Sequence, residues 1–194
     1  MLLRNQNGFT LLELLMVVVI TSMMIVAIGT FSVNIINNYQ YSEAQVGSSN
    51  DILNIMDRMT KVVRGTTKLV TTGSTSLTFY GYFSPRDSVP DLITYSVSGT
   101  SLQSSDTLAT GTGPNYTYDT SGAVVRTLAT NLAVGSTPIF TYYDDLGNLL
   151  TGSFSASQVK QIGIYVAVNP HPARVPIAIS NQTRVTLRNM KTNL

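Results

Sequence analysis

The first part of the chain is dominated by one apolar run. From Phe9 to Val33 the residues are apolar or small, and Glu13 is the only ionisable side chain among them. A helix needs about 20 apolar residues to cross a bilayer, so this run is long enough to span a membrane. An acidic residue within it costs free energy, which indicates that Glu13 has a function and a partner.

The polar stretch that follows, residues 34–65, keeps the spacing of a helix. Four apolar residues recur at intervals of three and four positions: Ile52, Met56, Met59 and Val63. This pattern predicts an amphipathic continuation of the helix whose apolar stripe packs against the next domain. The stretch that begins at Gly47 favours a helix only weakly, so either a kink or a restart of the helix is possible there. Gly65 is a good signal for the end of the helix.

From residue 66 the pattern changes to short alternating segments that are typical of strands. The predicted strands cover residues 76–83, 91–98, 101–102, 124–132, 138–143, 159–168 and 177–187. The second and third form a hairpin, residues 106–122 are predicted as a long loop, and Val124–Leu132 is expected to begin a second set of strands. The predicted fold is therefore α+β, with a long N-terminal helix before an antiparallel, sheet-rich head at residues 66–194.

Composition narrows the functional classes. Only 11% of the residues are charged and the net charge is +2, which argues against a nucleic-acid-binding protein. The chain has no cysteine, so disulfides, thiolate metal sites, a cysteine nucleophile and a lipid anchor on cysteine are excluded. Its one histidine, His171, lies between two prolines and is expected in an exposed loop. No phosphate-binding loop, serine elbow or pair of carboxylates indicates an enzyme, and no cofactor is expected.

Two minor patterns in the head leave alternatives open. Asp144, Asp145 and Asn148 offer oxygen ligands that suit calcium, but the strict loop spacing of a calcium-binding hand is missing. A hairpin turn explains the same residues through backbone hydrogen bonding, without a metal. Asn115 and Asn181 each match the glycosylation acceptor pattern, which a short motif often meets by chance.

Charge around the apolar run predicts its orientation. Arg4 lies before it, and no lysine or arginine occurs between Val33 and Arg58. Because positive charge favours the cytoplasmic side, we expect a cytoplasmic N-terminus, a single pass through the inner membrane and an extracytoplasmic head. An ordinary signal peptide cut after Gly29, or an uncleaved signal anchor, is the alternative, although the run is long for a signal peptide and contains an acid.

The string from Gly8 to Leu15, Gly-Phe-Thr-Leu-Leu-Glu-Leu-Leu, resembles the prepilin-type cleavage and methylation motif. This motif belongs to type IV pilins and to the pseudopilins of type II secretion, and the resemblance covers about the first 30 residues. It implies that residues 1–8 are a leader and that prepilin peptidase cuts between Gly8 and Phe9. It also implies N-methylation of Phe9 and makes Glu13 the fifth residue of the processed chain.

Electrostatics agrees with this resemblance. Cutting before Phe9 creates an ammonium group at the start of the apolar helix, and methylation leaves that group protonatable. In a filament core of low dielectric, the Phe9 amine of a neighbouring subunit would be the counter-charge of Glu13 and would fix the axial register. Removing one partner of such a pair typically costs about 3–5 kcal/mol. The alternative is that Glu13 extends to the membrane interface and has no role in assembly.

The resemblance implies a structural subunit of a pilus or pseudopilus that assembles through residues 9–33. Its partners would be prepilin peptidase, other pilin or pseudopilin subunits, and the assembly platform with its ATPase. Three stretches of the head, residues 139–148, 158–168 and 184–189, are similar to those of J-type minor pseudopilins and related minor pilins. A major subunit of the same class, or a membrane-anchored binding domain unrelated to filaments, remains the alternative.

Overall fold

The computed structural model describes residues 10–83, 89–112, 116–133, 135–171 and 178–188. Helix α1 spans Leu11–Arg64 and is α-helical through Gly47, so the restart that the sequence left open does not occur. An interior glycine costs only about 1 kcal/mol, which the packing of the following turns can offset. The helix ends directly before Gly65, as its stop signal predicts, and the Gly65 amide donates to the carbonyl of Val62.

Contacts divide the chain into two compact units, Met1–Glu43 and Ala44–Leu194. The described part of the first unit, apart from Thr10, consists of α1 residues. The second unit contains the remainder of α1 and the strands. The two units differ in how much apolar surface they bury.

The larger sheet of the second unit has five antiparallel strands in the order β1-β2-β3-β4-β7. Their bounds are β1 Lys68–Thr72, β2 Ser76–Gly81, β3 Asp91–Ser98, β4 Ser101–Thr107 and β7 Val124–Ala129. The predicted hairpin is present as β3 and β4, joined by a tight turn in which Gly99 has a φ of 59°. Glycine adopts this left-handed conformation without the steric cost that other residues meet.

Two predictions are wrong in neighbouring stretches of the chain: the loop at residues 106–122 and the second set of strands begun by Val124–Leu132. The stretch predicted as a loop begins with Asp106 and Thr107, which complete β4, and continues into a short ribbon of β5 Ala109–Thr110 and β6 Thr117–Tyr118. The next strand, β7, joins the first sheet beside β4 instead of beginning a second set. The physical reason is a charge pair between Asp106 and Arg126, which lets a polar segment lie within the sheet.

The smaller sheet has three antiparallel strands, in the order β10-β9-β8. Their bounds are β8 Phe140–Tyr143, β9 Gln161–Val168 and β10 Ile179–Thr186. The sequence predicted all three within a few residues, because β9 is a nearly continuous apolar run and a turn cluster follows β8. Leu132 forms an isolated bridge to Val168, so the stretch after β7 contacts the smaller sheet.

One hydrophobic core holds the second unit together. The stripe predicted on the helix is buried there, joined by Val62. It belongs to a single apolar cluster with residues of both sheets, such as Phe79 and Ile164. A polar link adds to this core, because the Tyr142 hydroxyl donates to the carbonyl of Gly73 at 2.8 Å. The stripe is therefore a packing surface, as its spacing predicted.

Candidate assembly site in the N-terminal helix

The start of α1 is fixed by its own sequence. Thr10 precedes the first helical residue, and its hydroxyl accepts a hydrogen bond from the Glu13 amide at 3.3 Å. This is the arrangement of a helix N-cap, which satisfies one of the free amides of the first turn. Gly8 and Phe9, the residues of the predicted cleavage and methylation site, lie outside the described residues. Their assignment therefore stays a prediction.

Glu13 lies in the first turn of α1 and is exposed. A negative charge at this position interacts favourably with the positive end of the helix dipole. The ion pairs found within the described part of the chain, Asp57 with Lys61 and Asp106 with Arg126, do not include it. A counter-charge for Glu13 from another molecule is therefore compatible with the structure.

The apolar side chains after Glu13 are also exposed. Between residues 11 and 39 the large apolar side chains keep 41–86% of their surface accessible. Soluble monomers rarely expose a continuous apolar surface of this extent, so the segment needs a bilayer or neighbouring helices. Among the described residues, α1 is the helix long and apolar enough to cross a membrane, which indicates single-pass anchoring.

The hydroxyl groups within the apolar segment are satisfied inside the helix. Thr21 donates to the carbonyl of Val17 at 2.7 Å, and Ser32 donates to that of Ile28 at 2.9 Å. Hydroxyls bonded in this way add little cost in an apolar environment. The carboxylate of Glu13 is different, because an ionised carboxylate only accepts hydrogen bonds and cannot donate to a backbone carbonyl as these hydroxyls do.

Comparison with known families identifies the same region. A family model described as the prokaryotic N-terminal methylation motif matches residues 3–29. The match supports placing the chain in the type IV pilin-like class, whose members are structural subunits, and it supports processing by a prepilin peptidase and assembly with other pilins. The match ends within the apolar run and does not extend to the head. No curated protein matched the chain in the corresponding search.

The turn after β8 is held by protein hydrogen bonds. The Asp144 carboxylate accepts from the Asn148 backbone amide at 2.8 Å and from its side-chain amide at 2.9 Å. These bonds hold the pKa of Asp144 below its usual range. They agree with the interpretation of this turn as a backbone feature. The described residues contain no group of three or more histidine, aspartate or glutamate side chains that could hold a metal.

Three other residues of the head were singled out from the sequence: His171, Asn181 and Asn115. His171 is partly buried instead of exposed as expected, and its amide donates to the Asn169 side chain at 3.0 Å. Asn181 lies within β10, and Asn115 falls outside the described residues.

Sequence patterns missed a buried charge cluster between the sheet and the helix. Asp106 is 5% exposed, forms an ion pair with Arg126 and accepts from the Ser104 hydroxyl at 3.2 Å. The guanidinium groups of Arg126 and Arg58 lie 5.1 Å and 4.9 Å from the centroid of the Phe83 ring. Burial raises the pKa of Asp106, and the charge of Arg126 opposes that shift. Leu102, Ser104 and Asp106 lie two residues apart along β4 and share its buried face, and this spacing was the available signal.

Proposed function

We propose that this chain is a structural subunit of a type IV pilus or of a type II secretion pseudopilus. The observation that carries the proposal is the coincidence of the motif match at residues 3–29 with an exposed apolar helix. The motif alone concerns processing, and the helix alone could be an anchor. Together they fit a subunit that is first held in a membrane and then packed beside other helices.

Within this proposal, prepilin peptidase removes residues 1–8, and Phe9 becomes the methylated N-terminus. Glu13 then pairs with the Phe9 amine of the adjacent subunit. The pair need not add net stability to the filament, because moving both charges out of water costs about as much as their attraction returns. The pair instead fixes the axial register of the subunits, because a helix that slips along its neighbour leaves two buried charges without partners.

The proposed route begins at the inner membrane. The N-terminus stays in the cytoplasm and the head lies outside, because Arg4 precedes the apolar run and acidic residues such as Glu43 follow it. Other pilin or pseudopilin subunits, the assembly platform and its ATPase would be the partners at this stage. The processed chain then enters the pilus or pseudopilus.

We further propose a minor subunit, such as a J-type minor pseudopilin or a related minor pilin. The similarity of three stretches of the head supports this choice. Many major pilins close a C-terminal loop with a disulfide and kink the helix at a proline in the apolar run. This chain has no cysteine and no proline between Phe9 and Val33. Counting copies of the chain per filament tests the choice, since a major subunit would make up most of the mass.

Mass spectrometry of the protein extracted from membranes tests the processing step. We expect a chain that begins at N-methylated Phe9. Gly8→Glu should retain residues 1–8, whereas Gly29→Leu, which changes the alternative signal-peptide site, should be processed like wild type. A wild-type chain that begins at Met1 or at Thr30 would contradict the proposal and support a signal anchor or a signal peptide.

Filament recovery tests the role of Glu13. Glu13→Ala should still insert and be cleaved, but it should be depleted from sheared filaments because the neighbouring amine loses its partner. Glu43→Ala is the matched control, since this acid also lies on α1 but follows the apolar run. Recovery of Glu13→Ala at the wild-type level would show that Glu13 does not set the register.

A further inference from the structure

A groove lies on the outer face of the smaller sheet. Its volume is about 380 Å³, within the range of roughly 300–1,000 Å³ that is usual for small-molecule sites. Strands β8, β9 and β10 each contribute to its lining. The residues that give it chemical character are Thr141, Tyr143, Tyr165, Gln182 and Arg184. None of the described lining residues is acidic.

Glycine at position 163 shapes this groove. A Cβ atom there would lie 2.2 Å from the Thr141 hydroxyl oxygen and 3.1 Å from the Tyr143 ring. The missing side chain therefore allows Thr141 and Tyr143 to lean over the middle strand. Their hydroxyl groups are 3.4 Å apart, and this contact is the largest cause that lowers the pKa of Tyr143.

Arg184 supplies the charge of the groove. Its guanidinium carbon lies 3.6 Å from the centroid of the Tyr143 ring, which is a cation–π contact. The ion pairs found in the described part of the chain do not use Arg184. A guanidinium has five N–H donors in a planar fork, so donors remain beyond the hydrogen bond to Tyr143 and can match a carboxylate.

We propose that this groove binds a sugar unit that carries a carboxylate, such as a hexuronate of an acidic glycan. Charge complementarity selects an anionic ligand, because the lining has a cation and no described acid. The side-chain amide of Gln182 and the hydroxyl of Thr141 suit a ligand with several hydroxyls, and Tyr165 offers an aromatic side chain on the same face. The proposal concerns the head and is independent of the proposed filament role.

Isothermal titration of the processed full-length chain in detergent tests this inference. The probes are trigalacturonate, the neutral trisaccharide galactotriose, and acetate as a carboxylate without a sugar ring. We expect saturable binding of trigalacturonate, binding of galactotriose that is weaker by about tenfold or more, and no binding of acetate in the same range. Equal affinity for the acidic and neutral sugars would overturn the assignment, as would binding of acetate as tight as that of trigalacturonate.

Two arginine variants locate the site. Arg184→Gln should weaken trigalacturonate binding about tenfold or more, since it removes the charged donor. Arg188→Gln removes the same charge from an exposed position four residues later, and it should change binding less than about twofold. Circular dichroism checks that both variants are folded. An equal loss of trigalacturonate affinity in the two variants would show that any nearby positive charge has the same effect, which would refute the site. Absence of trigalacturonate binding by the wild-type chain would also refute the proposal.

Discussion

The two ion pairs found among the described residues of the second unit should respond very differently to the loss of their basic partner. Asp106 is buried to 5% exposure, and its carboxylate depends on Arg126 for compensation. Asp57 and Lys61 form a pair at 2.5 Å whose side chains are 62% and 71% exposed. We therefore predict that Arg126→Gln destabilises the fold, whereas Lys61→Gln has little effect.

The expected magnitude follows from the exposure of each partner. Breaking a fully buried pair typically costs about 3–5 kcal/mol, but the Arg126 side chain is 42% exposed and water screens part of the interaction. We expect about 1–3 kcal/mol for Arg126→Gln, which corresponds to a decrease in Tm of about 2–12 °C for a unit of this size. The exposed pair should contribute less than about 0.5 kcal/mol.

The destabilisation caused by Arg126→Gln should also depend on pH. Burial raises the pKa of Asp106 in the folded state, and Arg126 lowers it. Removing Arg126 raises that pKa further, so the folded variant holds a proton more tightly than the unfolded chain does. The loss of unfolding free energy in Arg126→Gln, relative to wild type, should therefore be largest above the folded-state pKa of Asp106. It should shrink as the pH falls through that pKa.

Urea titration of the purified full-length chain in detergent, followed by tyrosine fluorescence and circular dichroism, measures both effects. Wild type, Arg126→Gln and Lys61→Gln are compared at about pH 7 and about pH 4, the second close to the ordinary pKa of an aspartate. Equal destabilisation by the two variants would refute the argument from burial. A deficit of Arg126→Gln that does not change with pH would refute the role of the Asp106 charge.

Three other changes to the second unit should be visible in the same titration. Met59→Ala removes a fully buried side chain and should cost about 2–5 kcal/mol, while Leu53→Ala, at a position that is 52% exposed, should cost less than about 1 kcal/mol. Gly163→Ala places a Cβ atom against the Thr141 hydroxyl and should cost about 1–3 kcal/mol, and a neutral result would mean that Thr141 can rotate away. Tyr142→Phe removes a buried hydrogen bond of 2.8 Å and should cost about 0.5–1.5 kcal/mol, unless water replaces the hydroxyl.

The parts of the fold that the sequence predicts are those set by local periodicity. The helix was recognised because an apolar run is followed by residues at helical spacing, and Ile52 and Val63 are buried as that spacing requires. The hairpin of β3 and β4 was recognised because Gly99 interrupts two alternating runs. In each case the residues that decide the structure are neighbours along the chain.

The parts that the sequence does not predict depend on pairing between distant residues. Strand β7 joins β4 because Arg126 can reach Asp106, and these residues are 20 positions apart. A segment rich in threonine, glycine and aspartate favours a loop by composition, and only the distant charge reverses that preference. The groove on β8–β10 was missed for the same reason, since Gly163 and Thr141 meet only after the strands pair.

The candidate assembly site differs from the head because the partner proposed for Glu13 lies on another subunit. The second unit buries its own apolar surface, so its core can be read from one molecule. The apolar part of the first unit buries almost nothing, and Glu13 has no ion pair within the described residues. The sequence could therefore locate this site by the cost of its carboxylate, whereas the counter-charge proposed for it lies on a second molecule. Changes at Glu13 should accordingly act on assembly, and changes at Asp106 on folding.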